Sequence, residues 1–355
     1  MKKHNFSAGP CILPQSVLKK SAEAVLNFNN SNLSLIEISH RSKDFVEVMD
    51  NARKLALEHL GLQNKGYQAL FLQGGASLEF LMVAYNLLEK KAAYLNTGTW
   101  SDKAIKEAKL LGEIVEVATS KSDNFNFIPK NYSIPSDTDY FHCTSNNTIF
   151  GTQMRTFPET EIPMVCDMSS DIFSRQLDFS KFGLIYAGAQ KNMGPAGTTL
   201  VVIKEDILGK VSRAIPSMLN YKVHIDKESM FNTPAVFSVY VSMLTLEWLK
   251  DLGGISAIEK VNNRKAELLY NEIDRNPLFE GFVADKEDRS KMNATFNLKN
   301  DELKATFDDH LKQAGINGLN GHRSVGGYRA SMYNALPLES VQVLVDVMQT
   351  VEKGA

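Results

Sequence analysis

The sequence is short of cysteine, of net charge and of long apolar runs, and each shortage excludes a class of protein. Its three cysteines, Cys11, Cys143 and Cys166, form no CxxC pair, which argues against a disulfide framework or a zinc site and favours a reducing cytosol. The net charge of −2 provides no overall field to attract nucleic acid or an acidic membrane. No apolar run could span a bilayer, and the N-terminus lacks the apolar stretch of a signal peptide. We therefore expect a cytoplasmic protein that binds no metal, nucleic acid or membrane.

The composition that remains is that of an ordinary soluble enzyme. The 355 residues predict about two domains, and the hydrophobic fraction of 43% is enough for a sizeable core. Since the overall charge is close to zero, any anionic substrate must be bound by a local group of cations.

Short apolar runs alternate with amphipathic stretches through the first two thirds of the chain. This alternation predicts an α/β fold with a mostly parallel sheet covered by helices on both faces. Two long amphipathic helices and a second, shorter alternation follow. We therefore predict an N-terminal segment at residues 1–14, a large domain at 15–254 and a smaller C-terminal α/β domain at 255–355. Ligands in such sheets bind at the carboxyl ends of the strands.

One lysine lies between two predicted core strands. The apolar runs 184–187 and 199–203 are typical of adjacent strands, and Lys191 lies between them, directly after Gln190. An ammonium near a core is costly unless it is paired or used chemically. A desolvated lysine can lose its proton near neutral pH and attack a carbonyl to form a Schiff base. Taken alone, the position is better explained by a lysine that extends from a strand end into solvent.

Two other strand ends carry features that suit a ligand. Gly74-Gly75-Ala76-Ser77 follows one strand and begins a helix, where free N–H groups attract a phosphate, and Ser77 is a plausible N-cap of that helix. The turn matches neither a Walker loop nor GxGxxG, and a tight turn without a ligand is an equal alternative. Asp167 ends the strand one unit before Lys191 and points toward the ligand crevice, although an aspartate that only caps the next turn is the commoner case.

Together these features indicate one cofactor. A phosphate-binding turn, a carboxylate and a strand-end lysine on one sheet are the groups that hold pyridoxal phosphate. The lysine bonds to the cofactor, the carboxylate keeps the pyridine nitrogen protonated, and the helix end binds the phosphate. Trp100 begins a helix at a further strand end, where its indole could stack on the ring, although core packing explains it equally.

The chain resembles the phosphoserine aminotransferases, which are class V members of the fold-type I pyridoxal-phosphate enzymes. The resemblance covers nearly the whole chain and depends on a combination of motifs that are each weak alone. These are NFSAGP at Asn5, ISHRSK at Ile38, the turn at Gly74, NTGTW at Asn96, CDMSS at Cys166, AGAQKNMGPAG at Ala187, FNTP at Phe231 and GHRSVGGYRASMYNA at Gly321.

The resemblance implies a role for each cofactor-binding residue. Lys191 would bond to the cofactor and move the proton, Asp167 would pair with the pyridine nitrogen, and Thr148 would contact the ring hydroxyl. Trp100 would stack on the ring. The phosphate would be held by Ala76, Ser77 and Gln190, together with Asn232 and Thr233 of the partner subunit, so the family implies a homodimer with shared active sites.

Substrate binding is expected to depend on arginines, because guanidinium groups recognise carboxylate and phosphate in a bidentate way. The candidates, which are His40, Arg41, His322, Arg323 and Arg329, all lie in turns rich in glycine or serine. The resemblance implies that Arg329 binds the α-carboxylate common to both substrates. It also implies that His40 and Arg41 bind the distal group, joined by His322 and Arg323 of the partner subunit.

Two positions depart from the family pattern. Some members have an arginine where this chain has Ser77, and that arginine adds to the site for the substrate phosphate. In this chain the substrate phosphate is therefore expected to be bound by the remaining histidines and arginines. A serine of the family's N-terminal turn corresponds to Ala8, where only the backbone can serve.

The resemblance implies transfer of an amino group between glutamate and 3-phosphohydroxypyruvate in serine biosynthesis, and in some bacteria also a step of pyridoxine biosynthesis. There are two alternatives. The chain could be another class V enzyme that acts on a small substrate, or a protein without enzymatic activity that binds a phosphorylated metabolite. A cysteine desulfurase is disfavoured because it needs a reactive cysteine near the C-terminus, and the last cysteine here is Cys166.

Overall fold

The fold was derived from a computed structural model of the chain, which describes residues 3–354. The strands are β1 (His4–Asn5), β2 (Tyr67–Leu72), β3 (Lys91–Asn96), β4 (Glu113–Thr119), β5 (Phe141–Thr144), β6 (Met164–Asp167), β7 (Leu184–Gly188), β8 (Thr199–Lys204), β9 (Phe279–Gly281), β10 (Asn293–Leu298), β11 (Ile316–Asn317) and β12 (Tyr328–Ser331). The helices are α1 (Gln15–Leu26), α2 (Lys43–Leu60), α3 (Gly75–Leu87), α4 (Thr99–Ala108), α5 (Ala189–Asn192), α6 (Tyr221–Asp226), α7 (Val236–Asp251), α8 (Gly254–Arg275), α9 (Lys304–Gln313) and α10 (Leu338–Gly354).

A seven-stranded sheet forms the centre of the large domain, with strand order β2-β8-β7-β6-β5-β3-β4. All neighbouring strands from β7 to β4 are parallel, and β8 runs antiparallel to both β7 and β2. The predicted α/β fold with a mostly parallel sheet is therefore confirmed.

Both faces of this sheet are buried, which explains why its strands are almost continuously apolar. On one face, Phe71 and Ile185 pack with side chains of α1, α2 and α7. On the other face, Leu70 and Tyr186 pack with α3 and α4. The alternation of neighbouring residues between the two faces follows from the two-residue period of a strand.

The helix ends predicted from the sequence are confirmed for α2, but the predicted N-cap of α3 is wrong. The Ser42 hydroxyl accepts a hydrogen bond from the Phe45 N–H at the start of α2, and Gly61 ends that helix in the left-handed conformation at φ 65°, as predicted. The prediction that Ser77 is the N-cap of α3 is wrong. Gly74 occupies that position at φ 102°, a conformation that glycine adopts without strain, so Ser77 lies within the first turn.

The C-terminal part of the chain builds a second, smaller layer. Its antiparallel sheet has the order β12-β10-β9 and packs with α8, α9 and α10. The N-terminal strand β1 pairs in parallel with β11, and Phe6 lies in the core of this smaller unit. Helix α8 contributes to both cores, with Ile255 in the large one and Leu269 in the small one. The boundary at residue 254 stays a prediction.

Candidate active site

The carboxyl ends of the central strands meet at one edge of the large sheet. Thr199, at the start of β8, pairs with Leu72 at the end of β2 and with Gly188 at the end of β7. Since neighbouring strands are about 4.8 Å apart, the ends of β2 and β7 lie about 10 Å apart. The turn at Gly74 and the segment that carries Lys191 are therefore brought to the same place.

Lys191 lies on the single-turn helix α5, directly after β7. Its Nζ donates a hydrogen bond of 2.8 Å to Thr148 Oγ1. Burial lowers the pKa of Lys191 to about 8, Asp167 opposes that change, and Arg329 adds to it. The N-terminal turn packs against this lysine so closely that a Cβ on Gly9 would lie 3.3 Å from its Cγ. A lysine with this pKa is a nucleophile and a proton carrier near neutral pH.

Asp167 is the last residue of β6, and its side chain is buried. Its Oδ1 accepts a hydrogen bond of 2.9 Å from the Ser169 N–H. Burial raises its pKa, and the charge of Lys191 opposes the shift. The carboxylate is thus close enough to Lys191 for each group to alter the pKa of the other.

Thr148 connects the lysine with Arg329, which lies on β12 of the small domain. Arg329 donates a hydrogen bond of 3.2 Å from its Nη1 to the Thr148 carbonyl. Its Nε is buried and has no partner among residues 3–354. Burial lowers the pKa of Arg329, but an arginine remains charged at neutral pH. The guanidinium therefore faces the same space as the Lys191 amine.

Trp100 lies at the start of α4, after β3. The Lys191 Nζ is 5.4 Å from the centre of its ring, so the predicted proximity of these two residues is present. The Trp100 Nε1 is buried without a partner in the described part of the chain. The exposed Lys103, one turn further along α4, places its Nζ 4.7 Å from the same ring. Lys103 is not among the residues predicted from the sequence, because its three-residue spacing from Trp100 does not distinguish it from other exposed charges on this helix.

The start of α3 supplies N–H donors for an anion. The N-cap residue Gly74 offers no capping side chain, and the N–H groups of the first turn have no partner within the helix. Ala76 is half-buried and Ser77 exposed in this turn. The half-buried Gln190 packs back over Gly188, where a Cβ would lie 2.8 Å from its Oε1. These groups suit a phosphate.

Asn232 and Thr233 lie beside the same turn within their own chain. The Thr233 carbonyl accepts a hydrogen bond of 2.7 Å from Gln73 Nε2, and Asn232 lines a cavity of about 230 Å³ together with Gly74. Contribution of this loop to a partner's site stays a prediction.

The remaining predicted substrate-binding residues differ in how they relate to Arg329 and Lys191. His322 is half-buried, and its pKa is lowered by burial and then by the charges of Arg329, Arg323 and Lys103, all of its own chain. His40 is half-buried with a buried Nε2 that has no partner within residues 3–354, and the neighbouring Arg41 is exposed. No hydrogen bond or ion pair among the described residues joins His40 or Arg41 to Arg329 or Lys191.

The site was tested for its fit to pyridoxal phosphate. Buried polar atoms without partners cost free energy, so the free Nε atoms of Arg329 and Trp100 and the uncapped start of α3 favour an anionic ligand. Asp167 supplies a carboxylate and Lys191 an amine of lowered pKa in the same space. The residues present therefore fit this cofactor. No group of three histidine, cysteine, aspartate or glutamate side chains within residues 3–354 is arranged to hold a metal ion.

The chain was then compared with known proteins. The family model for class V aminotransferases matches residues 3–344. Phosphoserine aminotransferase from Flavobacterium psychrophilum is 73% identical over 354 residues, which cover 99% of each chain. Among solved structures, phosphoserine aminotransferase from Bacillus circulans subsp. alkalophilus superposes with a TM-score of 0.96 at 41% identity and 99% coverage of both chains. A PLP-bound phosphoserine aminotransferase from Trichomonas vaginalis gives a TM-score of 0.93 at 35% identity, covering 98% of this chain and all of the other.

Proposed function

Because the chain belongs to the class V aminotransferase family, we propose that it transfers an amino group between L-glutamate and 3-phosphohydroxypyruvate, which gives 2-oxoglutarate and O-phospho-L-serine. The relatives named for phosphoserine are similar over the full length of the chain. The observation that carries the proposal is the line of contacts from the Arg329 guanidinium through Thr148 to the Lys191 amine. This line places a carboxylate-binding group and a proton carrier on either side of one residue, Thr148.

The cofactor is pyridoxal 5'-phosphate, which supplies an electron sink for the negative charge left when the substrate α-proton departs. Asp167 would hold it at the pyridine nitrogen, Thr148 at the ring hydroxyl and Lys191 at the aldehyde. The phosphate would be held at the start of α3 by Ala76 and Ser77, together with Gln190. Trp100 would pack on the ring.

Lys191 carries the proton in this proposal. With a pKa of about 8, its Nζ is partly unprotonated at neutral pH and can accept a proton from one substrate atom and return it to another. Asp167 keeps its carboxylate fixed through the Ser169 N–H and balances positive charge nearby. Thr148 positions the Lys191 Nζ through its hydroxyl.

Arg329 binds the α-carboxylate that both substrates share, since its buried Nε is free to donate. His322, which faces Arg329, is proposed to serve the site of its own chain rather than that of the partner. Arg323 is exposed, and we propose that it reaches the distal group that His40 and Arg41 of the partner subunit bind.

A homodimer is part of the proposal. The apolar side chains of Met218 and Phe231 are 46% and 37% exposed and flank Asn232, which is what a subunit interface at this loop requires. Asn232 and Thr233 of the partner subunit would then hold the cofactor phosphate. No helix within residues 3–354 is long and apolar enough to cross a membrane. We also propose that the protein is a cytoplasmic enzyme of serine biosynthesis, with pyridoxine biosynthesis as a second pathway.

An amino-donor screen tests the proposed function. The purified protein, loaded with pyridoxal phosphate, is given phosphoserine, glutamate, serine or alanine with a matching keto acid, and the new amino acid is measured. Phosphoserine and glutamate should react at least about a hundredfold faster than serine and alanine, because the site holds cations for a second anionic group. Comparable rates for alanine would instead indicate an aminotransferase for small substrates.

A further inference from the structure

Lys103 is the one described cation at the mouth of the site that the proposed function leaves without a role. It lies on the second turn of α4, and its Nζ is 4.7 Å from the centre of the Trp100 ring. The Lys191 Nζ is 5.4 Å from the same ring. Two ammonium groups therefore contact one indole that lies against the reacting centre, and Lys103 reaches it from the solvent side.

The charge of Lys103 is not used within the chain. No carboxylate in residues 3–354 lies within ion-pair distance of its Nζ. The neighbouring carboxylate, Asp102, is already bound to Asn96 Nδ2 at 2.7 Å and to Lys121 Nζ at 3.1 Å. A cation that packs on an aromatic ring and keeps its donors free is available to an anionic ligand.

Other cations gather at the same place. The pKa of His322 is lowered by burial and then by the charges of Arg329, Arg323 and Lys103, so each of these cations lies near His322. We call His322, Arg329 and Lys103 the mouth cluster. Like charges repel, so a bound anion would stabilise such a cluster, and the cluster in turn attracts anions to the site.

The two substrates of the proposed reaction differ in the charge of their distal group. A phosphate carries about −1.5 to −2 at pH 7, whereas the distal carboxylate of glutamate carries −1. Arg329 is occupied by the α-carboxylate, and Ser77 brings no charge to the site. We infer that Lys103 is a substrate-binding residue that contacts the distal phosphate of phosphoserine and 3-phosphohydroxypyruvate and favours these substrates over glutamate. This inference rests on the proposed function.

The test replaces Lys103 while keeping its contact with the indole. Lys103→Met retains an unbranched side chain over Trp100 and removes the charge, and Lys103→Arg retains the charge. Lys106→Met is the matched control, because Lys106 is also exposed and lies one turn further along α4. The readouts are kcat/KM for 3-phosphohydroxypyruvate and for glutamate, and inhibition by inorganic phosphate.

Lys103→Met should lower kcat/KM for 3-phosphohydroxypyruvate by roughly tenfold or more, the effect of losing one hydrogen bond to a charged group. It should weaken inhibition by inorganic phosphate by a similar factor and change kcat/KM for glutamate by less than about threefold. Lys103→Arg and Lys106→Met should stay close to the unchanged protein. The cofactor absorbance band should be the same in all four proteins, since the Trp100 contact is kept.

Equal losses for both substrates in Lys103→Met, or unchanged inhibition by inorganic phosphate, would overturn the inference. Failure of the proposed function itself has a different signature, because the unchanged protein would then not turn over 3-phosphohydroxypyruvate at all.

Discussion

The Nζ of Lys191 lies 2.8 Å from the hydroxyl oxygen of Thr148, whose carbonyl accepts a second hydrogen bond from Arg329. One residue of the large domain therefore touches both the amine on the strand-end helix and the guanidinium of the small domain. In the proposed function, a substrate bound by Arg329 would in this way be held next to Lys191, the proposed proton carrier. Small movements of β12 relative to the large sheet would separate the two functions.

Lys191→Ala should abolish turnover without unfolding the protein. General acid–base catalysis typically contributes about 10²–10⁴-fold, so kcat is expected to fall by at least about 10³-fold. The side chain of Lys191 is only half-buried, and its removal leaves the apolar core of β7 intact. The measurement is the rate of 2-oxoglutarate formation, with thermal unfolding as the control. The variant should still bind the cofactor, but borohydride reduction should no longer fix the cofactor to the protein, and a normal rate would refute the assignment of Lys191.

The reactivity of Lys191 should depend on pH with a midpoint near 8. Only the unprotonated amine attacks a carbonyl, so the rate at which cofactor-free protein combines with added pyridoxal phosphate should rise as the pH passes through about 8. The charge of Arg329 lowers the pKa of Lys191, and that of Asp167 raises it. Arg329→Gln should therefore move the midpoint to higher pH, and Asp167→Asn should move it to lower pH.

Each of the two variants serves as the control for the other, because a general loss of structure would not move the midpoint in opposite directions. Stopped-flow absorbance at several pH values measures them. A midpoint that stays fixed in both variants would show that neither charge acts on Lys191.

The sequence predicted which candidate residues lie at strand ends, and it failed where a position depends on the geometry of a turn or a helix face. Asp167 ends one apolar strand and Lys191 follows another, and parallel strands bring their carboxyl ends together. Ser77 was wrongly expected to cap α3, because the backbone of Gly74 takes the N-cap position and moves the start of the helix forward. In the sequence, Lys103 cannot be distinguished from the other charges on a solvated helix face, and only the structure shows its contact with Trp100.

Very short elements were also beyond prediction. Strands β1 and β11 have two residues each, too few for any hydrophobic period, and they form through backbone pairing between distant parts of the chain. Their pairing, together with the place of Phe6 in the small core, joins the start of the N-terminal segment to the C-terminal unit, while Gly9 of the same segment packs against Lys191 of the large domain.

Glu79 should make the stability of the protein fall as the pH rises from acidic to mildly alkaline. Its side chain is fully buried on α3, and Tyr221 donates a hydrogen bond of 2.6 Å to its Oε2. Burial raises its pKa to about 8, from an ordinary value of 4.5. A raised pKa in the folded state contributes stability that is complete below pH 4.5 and is lost as the pH rises through 8.

Over that interval the free energy of unfolding should decrease by about 1.4 kcal/mol per pH unit on account of this group. Glu79→Gln has no charge to bury, so the difference in stability between the two proteins should grow in favour of the variant between pH 4.5 and 8. Urea unfolding at several pH values measures this difference. A constant difference would show that Glu79 is ionised in the folded protein throughout.

Two inactive variants should restore activity to each other if the sites are shared between subunits. Lys191→Ala removes the proton carrier, and Asn232→Asp places a carboxylate where the cofactor phosphate is expected, so each homodimer should be inactive. In a mixed dimer, the site that combines Lys191 of one subunit with Asn232 of the other is intact. When the two variants are mixed at random, half of the dimers contain one subunit of each kind, and each such dimer has one intact site out of two. The mixture should therefore show about a quarter of the normal activity.

If Asn232 serves its own chain, as its position beside Gly74 also permits, every site contains a defect and no activity returns. Sedimentation of the unchanged protein as a monomer would refute the shared site altogether.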